Sequence, residues 1–523
     1  MDFVGIVIFA IVLYVRPQEF IGILDALRPA FLSLAMTSVG LFIREGGVAL
    51  KQIIRTPQDW MVSAYFIYIL FWTPGTIGDL WGELYQFVGF YFLVVLALSN
   101  FRRLYQYLAW WCGAIMFITV LALLSLIGID PTDAQTHTAG SLGRLALGLS
   151  LFDNPNALGH SVMVAVPLLY YFMFWKRPIF VQEVGAPLIF LPMLCTYFTE
   201  SKGAFVSGVG AIIATLAFGR PKWVQFILLP LLLVIGSSAL PLLPRFTEVQ
   251  FGDGRARSDE AVLGRIQSFE FGKWAQENTD YGVGFKQFVD AFVRKEGDLK
   301  ARASHSSYNQ VAGEFGWWGL LIFSGILYTC YHTLTRARTA DDNEERVRRM
   351  LFCMVLAYTV SSWMIDFGFR AAFFVMVAMV SAFHRLLMDR SPTYSPASDE
   401  SNREQWGGVV GITNSKLPSA FGEASVLTAA SAQDYLLQRK VVRGVPTRPR
   451  QFLAAQTGVA SSNSGALVRT GYVPAIKDDG SLPPELAGAA TFMPWQKLRW
   501  YDAIGIYLTL RLVLYIRDYA ITL

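Results

Sequence analysis

The sequence predicts an all-α polytopic membrane protein: about twelve transmembrane helices, one long outer loop, and a disordered cytoplasmic tail ending in an amphipathic helix. Three observations carry that prediction. Of 523 residues, 54% are hydrophobic and only 16% charged, with a mean hydropathy of +0.40, whereas soluble domains carry roughly a quarter charged residues. Apolar runs of near-spanning length recur from residue 3 to about residue 388. The basic residues between those runs fall on alternate connections. Together these exclude a disordered scaffold, a disulfide-knitted secreted domain and a water-soluble multidomain enzyme. The net charge of +5 is mild and sits mostly in loops, so it speaks for orientation in a membrane and not for nucleic acid.

A spanning helix needs about 20 mostly apolar residues. Candidates lie near 2–15, 29–43, 60–72, 83–98, 104–128, 156–175, 186–200, 203–219, 223–244, 308–333, 349–366 and 369–388. The first run ends in Arg-Pro-Gln-Glu and lacks a small-residue cleavage site, so it reads as a retained first helix. Arg44, Lys51, Arg55, Arg102, Arg103, Lys176, Arg177, Arg220, Lys222, Arg336, Arg338, Arg346, Arg348 and Arg349 all fall on one side if the spans alternate. The positive-inside rule makes that side cytoplasmic and puts both termini there. Cys112, Cys195, Cys330 and Cys353 lie in or beside apolar runs with no metal-ligand spacing, and read as small core residues.

The opposite side carries the connections 16–28, 73–82, 129–155 and 245–306. The last holds ten basic and ten acidic residues together with Trp274, Tyr281, Phe285, Phe288 and Phe292. A loop of that length is functional or disordered, and its aromatics argue for a folded, partly helical excursion. Residues 266–278 have helical apolar spacing and suit the outer leaflet. Residues 1–388 thus form the bundle with its loop 245–306. From 389 to 494, Ser, Gly, Ala, Thr and Pro dominate, as in a disordered tail. In 495–523, Trp495, Trp500, Tyr501 and Tyr507 mix with Lys497, Arg499, Arg511 and Arg517, the composition of an amphipathic membrane-surface helix. The alternative is a thirteenth span interrupted by Arg511.

Ionisable groups at membrane depth usually mark a site, and five clusters fall at the outer boundary. Asp153-Asn154-Pro155-Asn156 opens a span with a cap and an early proline, and its free amides suit an anion. Glu200-Ser201-Lys202-Gly203 pins Lys202 at the outer interface; snorkelling is the plain account, a phosphate contact the sharper one. Gly264-Arg265 precedes Tyr281-Gly282-Val283-Gly284-Phe285, glycines that also suit a simple turn. Ser304-His305-Ser306-Ser307-Tyr308-Asn309 enters a span, with Glu314 deeper, placed either to orient His305 or to cap a packing network. His137 is an outer-loop rival, while His160 sits inside a span. Asp366 and Arg370, spaced i to i+4, are expected to pair with one another. Walker loops, HExxH and Cys/His metal arrays are absent from the sequence, so no cofactor or metal is expected.

Taken in order, Asn-Pro-Asn, Glu-Ser-Lys-Gly-Ala, Gly-Arg, Gly-Val-Gly-Phe, His-Ser-Ser-Tyr-Asn and Glu-Phe-Gly-Trp-Trp-Gly resemble the bacterial O-antigen ligase and O-antigen polymerase superfamily over roughly residues 130–388. The resemblance implies a multi-pass inner-membrane glycosyltransferase without a metal. Its donor would be a glycan on undecaprenyl diphosphate, used at the periplasmic face with inversion. Its acceptor would be another glycan, a lipid A–core or a protein. Residue by residue, it makes Arg265 the diphosphate-binding arginine, His305 the base for the acceptor hydroxyl, and Asn156 the asparagine of the span-opening motif. Lys202 stands where the family has arginine, which keeps the charge and loses the bidentate fork. Glu314 and Arg370 join these as candidate substrate-binding residues. A polytopic transporter or flippase of a lipid-linked substrate is the competing expectation, disfavoured because the polar clusters lie at the rim and not mid-membrane.

Overall fold

The computed structural model of the chain describes residues 1–46, 53–132, 143–218, 220, 225, 260–297, 303–389 and 499–522. Among the described residues all regular structure is helical. In chain order the helices are α1 (Asp2–Tyr14), α2 (Pro29–Glu45), α3 (Pro57–Trp72), α4 (Ile77–Ala97), α5 (Phe101–Ser125) and α6 (Pro155–Met163), the last continued by Ala165–Leu169 and a π-type turn Tyr170–Phe174. There follow α7 (Ile179–Phe198), α8 (Lys202–Ala217), α9 (Glu260–Asn278), α10 (Phe288–Glu296), α11 (Ser307–Arg336), α12 (Asp342–Ser361), α13 (Ala371–Met388) and α14 (Trp500–Thr522). Helices occupy eleven of the twelve runs that hydropathy picks out. Apart from position 225, the remaining run, 223–244, lies outside the described residues, as do His137, positions 245–259 and 298–302 of the long loop and 390–494 of the expected tail.

Local chemistry starts these helices where the sequence says it should. Thr56 and Asp59 form a reciprocal capping box ahead of α3, with Pro57 in the first turn. The Asn154 side chain accepts from the Asn156 amide at 2.8 Å, so the expected cap and early proline open α6. Ser201, Ser306 and Asp341 cap α8, α11 and α12.

Six segments are long and apolar enough to cross a membrane: α4, α5, α6 with its continuation to Phe174, α7, α11 and α13. Their burial is graded. In α13, 89% of the apolar window is buried; in α7 it is 22%, and Ile179, Phe180, Phe190 and Tyr197 point outward. A rim this apolar is a surface for lipid, not for water, so the chain is a helical membrane protein. All four cysteines are buried thiols, as expected of core residues.

Antiparallel packing gives the bundle two ends. At one, Asp2 of α1 is paired with Arg44 of α2 and with Arg103 of α5, the latter at 2.8 Å. At that same end Arg385, near the close of α13, lies 2.8 Å from Asp59 at the start of α3. The starts of α6, α8 and α11 lie at the opposite end.

The C-terminal helix departs from expectation. Instead of lying alone on a surface, α14 packs antiparallel along α11. Tyr328 donates to Asp502 at 3.0 Å, Ile506 touches Gly325, and farther along Arg517 donates to Gln276 of α9. The physical reason is that α14 is not amphipathic. Its inward face buries Ile506, Leu510 and Val513, while its outward face shows Ile504, Leu508, Leu512 and Ile516.

Candidate functional site

The long excursion folds as two helices around its own aromatic core of Phe271, Phe288 and Phe292 with Ala275 and Ala291. The stretch expected to rest on a leaflet is α9, and it is docked on the start of α11. Ser268 donates through its hydroxyl to the Ser304 carbonyl at 3.0 Å, and Asn309 Nδ2 donates to the Ser268 carbonyl at 2.8 Å. The opposite flank of the same segment is stitched to the α12–α13 connection. Ser307 N donates to the Ser362 carbonyl at 2.7 Å, Ser307 Oγ to the Ile365 carbonyl at 2.8 Å, and Phe367 N to Ser307 Oγ at 2.8 Å. Held from both sides, His305 adopts left-handed backbone, φ 48°, which an unconstrained histidine rarely takes.

The Gly-Val-Gly turn is a docking element. The amides of Val283 and Gly284 donate to the carbonyls of Gly313 and Glu314 at 2.9 and 3.0 Å. Those carbonyls are exposed because α11 breaks at Gly316, whose φ is 66°. Glu314 itself is buried, with Gln310 Nε2 at 3.4 Å from its carboxylate.

Asn156, Lys202, Arg265 and His305 are carried to one end of the bundle. Asn156 Oδ1 accepts from Arg144 Nη2 at 2.9 Å, and Arg144 Nε donates to the Thr199 carbonyl at 2.9 Å, which ties the α6 entrance to the α7–α8 turn. In that turn Glu200 is left-handed at φ 47°, and Lys202 is the first residue of α8. The next residue, Gly203, faces His160 of α6 and Met364 of the α12–α13 connection. Lys202, Arg265 and His305 are all half-buried.

One expectation fails. Among the described residues no ion pair joins Asp366 to Arg370, because residues 366–370 form a non-helical turn in which i to i+4 spacing does not bring side chains together. Arg370 instead lines a cavity with His160, Ser361, Tyr358 and Trp111. Two residues went unnoticed in the sequence. Arg144 carries the same signal that singled out Lys202, a cation on the side where the charge bias gives it no reason to be. His160 was set aside because it sits within a span.

Chemically, Lys202, Arg265 and His305 are side-chain types that contact anions and exchange protons, and all three stand at one end of the bundle. Comparison with models of known protein families finds no match, and comparison with curated proteins finds none either.

Proposed function

We propose that this chain is a metal-independent glycosyltransferase of the bacterial inner membrane. It moves a glycan from undecaprenyl diphosphate onto an acceptor at the periplasmic face, in the manner of the O-antigen ligases and polymerases its motifs resemble. The supporting observation is the convergence of Asn156, Lys202, Arg265 and His305, from four separate segments, on the end of the bundle that the charge bias makes external. Expelling a diphosphate develops negative charge, and fixed cations at a water-poor boundary stabilise it. Arg265 and Lys202 take that role; His305 accepts the proton of the attacking hydroxyl, which suits an inverting displacement. Asn156 positions Arg144 at the rim, and Arg370 faces the adjoining cavity.

In this reading the twelve runs span the membrane, and α14 crosses as a thirteenth. Ile506 is level with Gly325, so Arg511 sits about one turn below Trp317 and Trp318, within snorkelling reach of the outer boundary. The N-terminus stays cytoplasmic, while residue 522 emerges on the periplasmic side. Alkaline phosphatase fused after residue 522 is expected to be active and green fluorescent protein dark; the reverse result returns α14 to the inner surface.

The transporter reading has one observation in its favour, the fully buried Asp59 and Arg385. That pair lies at helix ends, where Asp59 also accepts from Ser381 and Tyr91, which suits a strut better than a pathway. The deciding experiment is the glycan profile of membranes from a strain lacking the protein, complemented with wild type, Arg265→Ala or His305→Ala. A polymerase loses its chain-length ladder while single repeat units persist. A ligase leaves full-length carrier-linked glycan without its acceptor. Two variants that behave as wild type defeat the transferase and favour the transporter.

A further inference from the structure

His160 is 3% exposed. Its Nδ1 lies 2.9 Å from Ser361 Oγ, yet its Nε2 is buried with no hydrogen-bond partner. Burying a polar atom without a partner is costly, so an orphan ring nitrogen asks for an explanation. Its direction supplies one. A Cβ on Gly203 would stand 3.0 Å from Nε2, so the nitrogen faces the first turn of α8, beside Lys202. The ring also lines the cavity that Arg370 borders. An imidazole nitrogen without a hydrogen-bond partner therefore faces the N-terminal turn of α8, and Arg370 borders the cavity that the ring lines.

We propose that His160 is a ligand-contacting residue of this site: with Ser361 donating to Nδ1, its Nε2–H donates to the anion held by Lys202 and Arg265. The role differs from that of His305. A histidine fixed as the Nε2–H tautomer is a donor, not a base, and it stabilises the bound phosphoryl oxygen without taking a proton. That the anion is the diphosphate of an isoprenoid carrier held by Lys202 and Arg265 rests on the proposed transferase function; that it is an anion follows from Nε2 facing the N-terminal turn of α8.

The test is binding by full-length protein in lipid nanodiscs, using geranylgeranyl diphosphate as one probe and inorganic pyrophosphate as the other. Loss of one charge-assisted hydrogen bond is expected to weaken binding about ten- to hundredfold in His160→Phe, which keeps the ring volume and removes the donor. His160→Gln, which keeps an amide donor near the Nε2 position, should recover most of it. Ser361→Ala, which frees the tautomer, should fall between them. If Arg265→Ala abolishes binding while His160→Phe binds as tightly as wild type, His160 is a packing residue and the inference is overturned with the site left standing. If neither probe binds wild type, both the anion site and the inference fail. Tighter binding of the lipid probe identifies a carrier; equal affinity identifies a free phosphate compound. Should His160→Phe not fold, the Gln and Ser361→Ala variants decide, and wild-type affinity in Ser361→Ala sinks the tautomer argument.

Discussion

The two ends of this bundle solve opposite problems. At the end rich in arginine the charges are matched: Asp2 with Arg44 and Arg103, Asp59 with Arg385, Arg55 with Asp389, Lys176 with Asp342, and Glu345 with Arg348 and Arg349. At the other end ion pairs also occur, such as Arg16 with Glu19 and Lys286 with Glu83, but there the turns are bent into left-handed backbone. Of the six described non-glycine residues with positive φ, five lie at that end: Arg16, Arg28, Glu200, Lys286 and His305; only Lys176 is at the matched end. Each such conformation costs on the order of 1–3 kcal/mol and persists where surrounding contacts over-determine it. The contrast teaches that one end is built for cohesion and the other for presentation.

That division can be broken from either side. The largest effect is expected at the matched end. Asp59 is fully buried and accepts from Arg385, Ser381 and Tyr91 at 2.8, 2.7 and 2.9 Å. Asp59→Ala strands a buried guanidinium and should cost about 3–5 kcal/mol, seen as a collapse of thermal stability in detergent. A variant that melts like wild type would show the pair to be dispensable. Next comes His305→Ala, which should slow transfer about 10²- to 10⁴-fold while the melting temperature stays within a few degrees. A large loss of stability there would make His305 a structural residue and blur the comparison. Smaller again is Gly282→Ala. Its Cβ would lie 2.2 Å from the Glu314 carbonyl oxygen on backbone at φ 81°, so a loss of roughly 1–3 kcal/mol should appear first as faster proteolysis of the 281–297 segment.

The smallest effect is electrostatic. Burial alone would raise Glu19, but the Ser150 hydroxyl and amide, with Arg16, outweigh it and hold the carboxyl below its ordinary value. Those contacts are 2.6 and 2.7 Å from Ser150. A depressed carboxylate contributes stability above its unfolded value of about 4.3 and loses it as pH falls through the lower folded value. Glu19→Gln should therefore lower stability at pH 7 by at most about 1 kcal/mol, and the gap from wild type should close below pH 4. A gap that persists in acid would assign the effect to packing.

What the sequence made legible was whatever depends on one segment at a time. Apolar run length located the helices, loop charges separated the two ends, and Asn154 with Pro155 announced the start of α6. Lys202 was legible because its charge contradicts the loop bias. What stayed hidden depends on segments meeting. His160 looks like a buried span residue until Gly203 arrives from α8 and Arg370 borders the same cavity. Asp366 and Arg370 look like a helical pair until the turn between α12 and α13 separates them. In α14, three arginines and several aromatics give the composition of a surface helix, and only contact with Tyr328 and Gln276 reveals a partner along its length.

The break in α11 has a consequence for inheritance. Gly282, Gly284 and Gly316 all have positive φ, at 81°, 108° and 66°, and a Cβ on Gly316 would stand 3.1 Å from Gly282 N. Loop and helix thus share one lock whose two halves are separated by more than thirty positions of chain. A chimera that imports the loop from a relative without the matching bend in the following helix brings a key cut for a different lock. The unit of exchange is the loop with the first three turns of α11, and natural drift at any one of the three glycines should be accompanied by change at the others.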